Sequence, residues 1–148
     1  IDRTANFATL PRGVGDSERK LKDGVVLFSG AKFLPMYDVS LPEPGLYKVR
    51  MEIRAEQSET PVFMHVRGGN TGQIAPHTVG FFDALPGKLT TVEFTDRAPE
   101  RSDNFAIGLH GGYPYWSVKP DKYKGPGLFI GDISIQGPIA PERSQFLP

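Results

Sequence analysis

Apolar and polar residues alternate most regularly in the stretch 46–67. Two runs, 46–54 and 61–67, each place apolar side chains at every second position, and a polar stretch, 56–60, separates them. A period of two is typical of a strand buried on one side, and two such runs joined by a short polar connection predict an antiparallel hairpin. The side chains expected to share a core, including two from a later run, are Tyr47, Val49, Met51, Ile53, Val62, Met64, Val66, Val92 and Phe94.

Further short apolar runs predict strands before and after this stretch. An apolar face on one side of a sheet needs a second sheet to cover it. The 17 glycines and 14 prolines lie between the runs, which suits tight turns better than long helices. We therefore predict an all-β fold, a two-sheet antiparallel β-sandwich that is jelly-roll-like. The additional strands are expected at 25–28, 78–84, 90–95, 105–109 and 128–136.

The length of 148 residues suits one domain with one core. Residues 1–22 show little periodicity and are expected to form a lead-in segment. Residues 23–138 are expected to form the β-sandwich domain, and 139–148 a C-terminal linker. Because the chain starts at Ile1 without an initiator Met, we expect it to be a piece of something longer.

Charge and composition exclude several kinds of partner and chemistry. The 17 basic and 17 acidic residues balance, so no field attracts a polyanion and we expect no nucleic-acid partner. The absence of cysteine excludes disulfides, thiolate nucleophiles, cysteine-ligated zinc and covalent haem attachment. No apolar run approaches the roughly 18 residues of a membrane span.

Catalytic motifs are missing from the sequence. The three histidines, His65, His77 and His110, share no metal-ligand spacing, and no serine lies in Gly-x-Ser-x-Gly. A carboxylate-rich run, which contains Glu52 and Glu56, straddles a strand end and a turn, where a solvated face explains it better than a glycosidase acid pair. We therefore expect no enzymatic activity.

A long segment without periodicity, 111–126, is the main candidate for function. It holds the only tryptophan and three of the five tyrosines, and long loops are often functional. Aromatic faces can lie against the C–H face of a sugar ring while polar side chains bind its hydroxyls. An equally weighted alternative is that Trp116 and Tyr113 plug the end of the sandwich. The candidate carbohydrate-binding residues are Tyr113, Tyr115, Trp116, Lys119, Asp121, Lys122 and Tyr123.

An ordered series of short motifs resembles the β-domain inserted in the multidomain, cytochrome-c-associated proteins of planctomycetes. The resemblance spans 23–148 and lies in the order of the motifs, because no single motif is diagnostic. Those motifs include Asp23-Gly24-Val25-Val26-Leu27-Phe28, Pro44-Gly45-Leu46-Tyr47, Val79-Gly80-Phe81-Phe82-Asp83, Leu85-Pro86-Gly87-Lys88, Tyr123-Lys124-Gly125-Pro126-Gly127-Leu128 and Ile135-Gln136-Gly137-Pro138.

The resemblance implies a noncatalytic module that binds polysaccharide or oligosaccharide, flanked by other domains of the same chain. It also implies an extracytoplasmic location, periplasmic or cell-surface, with haem c only elsewhere in the parent chain. A structural calcium ion is compatible with such modules, but Gly131 stands where a carboxylate is frequent and Asp132 is expected to face the other way. The alternative function is a structural or protein-interaction domain that docks neighbouring domains of a redox protein.

Overall fold

The computed structural model of the chain describes residues 2–9, 18–28, 34–35, 43–68, 77–98, 106–109 and 124–139. Nearly all of these residues lie in strands that pair antiparallel in two sheets, so the predicted all-β sandwich is confirmed. The strands are β1 (Asp2–Asn6), β2 (Glu18–Lys20), β3 (Val25–Leu27), β4 (Leu34–Pro35), β5 (Gly45–Glu56), β6 (Val62–Gly68), β7 (His77–Ala84), β8 (Thr90–Ala98), β9 (Ala106–Leu109) and β10 (Gly127–Ile139).

The larger sheet, sheet one, is built around β10. Its strand order is β2-β3-β10-β5-β8, and β1 also pairs with β10. Along one edge of β10 runs β5, while the other edge is divided between β3, opposite residues 128–130, and β1, opposite residues 132–136. Strand β10 therefore holds together elements from the beginning and the middle of the chain.

A β-bulge interrupts β10 between its two partners on that edge. Ile130 lies opposite Ile53 and Ile133 lies opposite Met51, so residues 131 and 132 together face a single residue of β5. A bulge of this kind adds one residue to a strand and re-aims the side chains beside it. As a result Ile130 and Ile133, three positions apart, are both buried.

The smaller sheet, sheet two, has the order β4-β9-β6-β7. Its edge strand β4 contains Pro35, as expected for a residue that cannot donate a ladder hydrogen bond and is therefore tolerated at a sheet edge. The inner strand β6 alternates strictly, with Val62, Met64 and Val66 buried beneath the sheet. Sheet two therefore covers sheet one with one apolar face and turns its other face outward.

The core between the sheets contains the side chains that the alternation predicted. Eight of the nine are buried in one cluster, and Val92 is half-buried and packs against it. The cluster also includes Phe7, which is fully buried and lies in the short 3-10 helix Phe7–Thr9. The predicted core is confirmed, and Phe7 adds to it a residue from the segment expected to be a lead-in.

The predicted hairpin of β5 and β6 is wrong. Strand β5 pairs with β10 and β8 in sheet one, whereas β6 pairs with β7 and β9 in sheet two. The connection 57–61 is therefore an arch that passes from one sheet to the other, and it begins at Gln57 with a φ of 55°. Alternation shows only that one face of each strand is buried. It occurs equally in two strands that pair within one sheet and in two strands that pack against each other from opposite sheets.

Strands β1 and β2 lie within the segment expected to be a lead-in. Strand β1 pairs with β10 over its full length, and β2 pairs with β3. Their short lengths, five and three residues, explain why no periodicity was visible in the sequence. The division into a lead-in, a domain and a C-terminal linker stays a prediction, with the addition that sheet one includes strands from residues 2–20.

Candidate functional site

The seven candidate residues of the aromatic segment, Tyr113 to Tyr123, lie outside the described residues, so their placement stays a prediction. The structure does describe where this segment leaves and rejoins the sandwich. Strand β9 ends at Leu109 in sheet two, and the chain re-enters sheet one at Gly127, opposite Glu56 at the end of β5. The two described residues that flank it, Leu109 and Gly127, therefore both lie at the end of the sandwich where the 57–61 arch lies, which we call the arch end.

The returning chain is fixed to the arch by one side chain. Gln57 Nε2 donates a hydrogen bond of 2.9 Å to the carbonyl oxygen of Gly125, and Arg19 Nη2 donates one of 2.9 Å to Gln57 Oε1. Both ends of the Gln57 amide are thus engaged, which holds the arch against the chain that follows the aromatic segment. The amide gives the base of the candidate loop a defined position.

Beside this base lies a polar groove of about 520 Å³. Its wall carries Arg54, whose Nε lies 2.6 Å from Glu56 Oε1 and whose guanidinium stands 4.3 Å from the centroid of the Phe129 ring. Charged and amide groups at an open groove are the donors and acceptors that sugar hydroxyls need. The residues that line it are Arg54, Ala55, Glu56, Gln57, Ser58, Glu59 and Gly87.

The outward face of sheet two carries a row of aromatic side chains. Phe63 and His65 alternate with the buried residues of β6, and Phe81 stands directly opposite His65 on β7. The rings of His65 and Phe81 stack with centroids 4.5 Å apart and an interplanar angle of 12°. Phe63 is 45% exposed and Phe81 is 54% exposed, and large exposed aromatics of this kind mark binding surfaces more often than isolated small apolar groups do. We call Phe63, His65 and Phe81 the aromatic row.

Small and polar residues surround the aromatic row. On the other side of His65 stands Gly108 of β9, which adds no side chain above the sheet. His65 Nε2 lies 3.3 Å from Thr78 Oγ1, and the exposed Asp83 is directly opposite Phe63. The outer face of sheet two therefore combines flat apolar rings with hydroxyl and carboxylate groups.

The aromatic row lies next to the end of β9, the last described strand before the candidate loop. Leu109, the last residue of β9, is directly opposite Met64, which immediately follows Phe63. The last described residue of β9 therefore lies beside Phe63, the member of the row nearest the arch end.

Sequence reasoning missed the aromatic row, although one signal for it was present. Phe81 and Phe82 are consecutive in a strand, and consecutive side chains point to opposite faces. Phe82 points inward, where its ring packs 5.8 Å from that of Phe94, so Phe81 must point outward. An aromatic residue on the polar face of a half-buried strand is therefore a sequence signal for an exposed ring that could bind a ligand, as the rings of the loop are.

A second groove, of about 300 Å³, lies on the outer face of sheet one and has a different character. Its charged lining residues are Arg50, Glu52 and Asp132. Arg50 Nε lies 3.3 Å from Glu93 Oε2, outside the groove, and the Asp132 N–H donates a 3.1 Å hydrogen bond to Glu52 Oε1. Among the described residues, no aromatic side chain lines this groove. Because a sugar ring needs a flat apolar surface to stack on, this groove is a weaker candidate than the aromatic row.

At the end of the sandwich opposite the arch, His77 of sheet two pairs with Asp96 of sheet one. His77 Nε2 and Asp96 Oδ1 are 2.7 Å apart, and the Asp96 carboxylate packs against Gly68. This pair joins the two sheets. Within the described part of the chain, no group of three or more His, Cys, Asp or Glu side chains could hold a metal ion, and no helix is long and apolar enough to cross a membrane.

Comparison with known proteins gives a fold and no sequence family. No family model matches the chain, and no curated sequence matches it. Among solved structures, the carbohydrate-binding module CBM36 in complex with calcium and xylotriose matches with a TM-score of 0.59 and 12% identity, covering 90% of this chain and 99% of that one.

Two further solved structures show the same fold. The CBM36-1 domain of a multidomain xylanase from the hindgut metagenome of Trinervitermes trinervoides has a TM-score of 0.62 at 10% identity, covering 95% of this chain and all of that one (100%). The CBM22-1 xylan-binding domain from Paenibacillus barcinonensis has a TM-score of 0.56 at 8% identity, with coverages of 95% and 83%. At these identities the similarity establishes the fold, which is the β-sandwich of carbohydrate-binding modules.

Proposed function

We propose that this domain is a noncatalytic carbohydrate-binding module that binds polysaccharide or oligosaccharide through the outer face of sheet two and the adjoining loop. The observation that carries the proposal is the aromatic row, with Phe81 54% and Phe63 45% exposed on a β-sandwich of the carbohydrate-binding type. Exposed aromatic rings beside hydroxyl and carboxylate groups suit the two faces of a pyranose, which is apolar along its axial C–H bonds and polar at its edge.

The expected affinity follows from the area of the rings. Covering roughly 100 Å² of apolar surface contributes about 2.5 kcal/mol, so two sugar rings on two platforms would contribute roughly 5 kcal/mol before the cost of association. Without any cost this sum would correspond to a Kd of about 0.2 mM, and the cost of association weakens it further, so millimolar affinity is expected. Useful retention on a polymer then depends on several rings or several modules binding together.

The predicted loop extends this surface. Trp116, Tyr113, Tyr115 and Tyr123 are proposed as further stacking platforms, with Lys119, Asp121 and Lys122 as partners for hydroxyls. The polar groove beside Gln57 lies where the segment returns to sheet one. A chain of sugar rings along the row and across the loop would therefore meet aromatic faces and hydrogen-bonding groups in turn.

The wider setting is proposed from the sequence resemblance alone. The domain would belong to a larger extracytoplasmic protein of the planctomycetal cytochrome-c-associated type, in which haem c is bound elsewhere in the chain. The domain itself would carry no catalysis, because its sequence holds no nucleophile, base and orienting acid in a recognised arrangement.

A protein-interaction role is the second candidate, and the same observation favours it. Exposed phenylalanines such as Phe63 and Phe81 also suit burial against a neighbouring domain, where aromatic side chains are enriched. The two functions differ in ligand, so a binding experiment with purified glycans separates them.

The test is affinity electrophoresis and calorimetric titration against soluble xylan, laminarin and cellulose-derived oligosaccharides. Phe81→Ala should weaken binding by about tenfold with little change in melting temperature, because a half-exposed ring contributes less to the core than a buried one. Trp116→Ala measures the contribution of the loop in the same way. Leu89→Ala is the matched control, since Leu89 is 44% exposed on the turn between β7 and β8 and lies outside the aromatic row.

Three outcomes decide the proposal. Weaker binding for Phe81→Ala with unchanged binding for Leu89→Ala supports the sheet-two surface. Loss of binding only for Trp116→Ala would move the site to the loop alone. If no glycan of the panel binds the wild-type domain, carbohydrate binding is refuted for these polymers, and the interaction role takes its place.

A further inference from the structure

One side-chain amide joins three separate parts of sheet one. Asn6 ends β1, and its Nδ2 donates hydrogen bonds of 2.7 Å to the carbonyl oxygen of Asp23 and 2.8 Å to Asp132 Oδ1. Asp23 lies in the turn before β3, and Asp132 lies in the bulge of β10. The Asn6 amide nitrogen thus lies between oxygen atoms of two other segments, the Asp23 turn and β10, while Asn6 itself belongs to β1.

The orientation of this amide is fixed by its other atom. Asn6 Oδ1 accepts a hydrogen bond of 2.9 Å from the backbone N–H of Ala8. Rotating the amide by half a turn would place Oδ1 against two oxygen acceptors and Nδ2 against an N–H donor, so every contact would become repulsive. The nitrogen, with its two N–H groups, is therefore the atom that faces the oxygens.

The bulge in β10 brings the last strand into this contact. Simple alternation predicted that Asp132 would face away, and that prediction is wrong, because the extra residue re-aims it toward Asn6. The backbone N–H of Asp132 donates a 3.1 Å hydrogen bond to Glu52 Oε1 on β5. A Cβ on Gly131 would lie 3.4 Å from Glu52 Oε1 and 3.6 Å from the Asp23 oxygen, so a larger residue at this position would point into the same cluster.

Calcium does not fit this cluster as the chain provides it. Calcium takes six to eight oxygen ligands at roughly 2.3–2.6 Å, but here Gly131 supplies no carboxylate and the one amide oxygen already accepts the Ala8 N–H. The two N–H groups of Asn6 occupy the place between Asp23 O and Asp132 Oδ1 that a cation would need.

We infer that the Asn6 amide performs the joining role of a metal ion in this chain, so that β1, the turn at Asp23 and β10 are held together without calcium. The amide donates two hydrogen bonds to the oxygens that would otherwise repel one another, and it needs no deprotonated ligands to do so. Replacing it with a carboxylate removes both donors and adds an oxygen ligand beside Asp132 and Glu52.

The experiment is thermal unfolding of the whole chain with chelator or with millimolar calcium, together with calorimetric titration of calcium alone. The melting temperature of the wild type should be the same within about 1 °C in both conditions. Asn6→Ala should melt about 2–8 °C lower in both, because two hydrogen bonds are lost. Asn6→Asp should melt lower in chelator and recover by about 5–10 °C with calcium, the shift expected when the ion exceeds its dissociation constant about a hundredfold.

Gln136→Glu is the matched control. It makes the same amide-to-acid change on an exposed residue of β10, outside the cluster, and should show no calcium response. The inference is overturned if wild-type protein binds calcium stoichiometrically and melts several degrees higher with it. It is also overturned if Asn6→Ala melts like the wild type, or if a folded Asn6→Asp shows no calcium response. No glycan is present in these measurements, so their outcome is independent of the proposed carbohydrate binding.

Discussion

Ile53→Ala tests whether β5 lies at the centre of a sandwich. Ile53 is fully buried, and its neighbours in register are Ile130 on β10 and Thr90 on β8. It belongs to the cluster that contains buried residues of both sheets, so its side chain is enclosed by sheet two as well. Truncation to alanine removes three carbon atoms from this environment.

The loss in the free energy of unfolding can be estimated from the burial of Ile53. Each buried methylene contributes about 0.8 kcal/mol, so three carbons give roughly 2.4 kcal/mol of lost transfer free energy. The cavity that remains adds to this, and truncations of this size in cores cost about 2–5 kcal/mol. For a domain of this length, each kcal/mol lowers the melting temperature by about 2–4 °C, so the expected decrease is about 4–20 °C.

The measurement is far-UV circular dichroism during heating, repeated as a urea titration to obtain the free energy of unfolding. Thr91→Ala is the control, because Thr91 is exposed on β8, next to the residue that pairs with Ile53. The control should melt within about 2–3 °C of the wild type. If Ile53→Ala behaves like this control, Ile53 is not enclosed between two sheets and the sandwich assignment fails.

Two further substitutions on sheet one, each with a control, examine close packing by thermal melts. Gly24→Ala should lower the melting temperature by several degrees, because a Cβ there would lie 2.5 Å from the Phe129 ring. The control Gly80→Ala should be close to neutral, because its Cβ would meet only the edge of the Phe82 ring at 3.4 Å. Equal melting temperatures for the two variants would refute the close approach at Gly24. Arg54→Ala should cost about 1–2 kcal/mol through loss of the cation–π contact at 4.3 Å. Arg50→Ala, whose side chain is 59% exposed in an ion pair, should cost less than about 1 kcal/mol, and a larger loss there than for Arg54 would contradict this ranking.

For the candidate binding surface, the sequence predicted which residue types take part but not which residues lie next to one another. It drew attention to the aromatic segment 111–126, whose residues stay predictions. It did not reveal that Phe81 and His65 stack, because stacking depends on which residues of β6 and β7 are opposite each other. A register shift between Val66 and Arg67 contributes to that pairing, and such a shift is a property of two strands together.

The sequence by itself determined the class of the fold and the members of its core. The period of two along β5, β6 and β8 fixed which side chains are buried, because strand geometry sends alternate residues to opposite faces whichever strand lies next to them. Only the tertiary structure decided which strands pair. Strands β5 and β6 separate into different sheets although they are adjacent in the chain, and β1 joins β10 from the other end of it. The contact of Asn6 with Asp132, 126 residues apart, depends on that pairing and on one bulge. Long-range partners of this kind are selected by the packing of the whole domain, and local patterns carry no record of them.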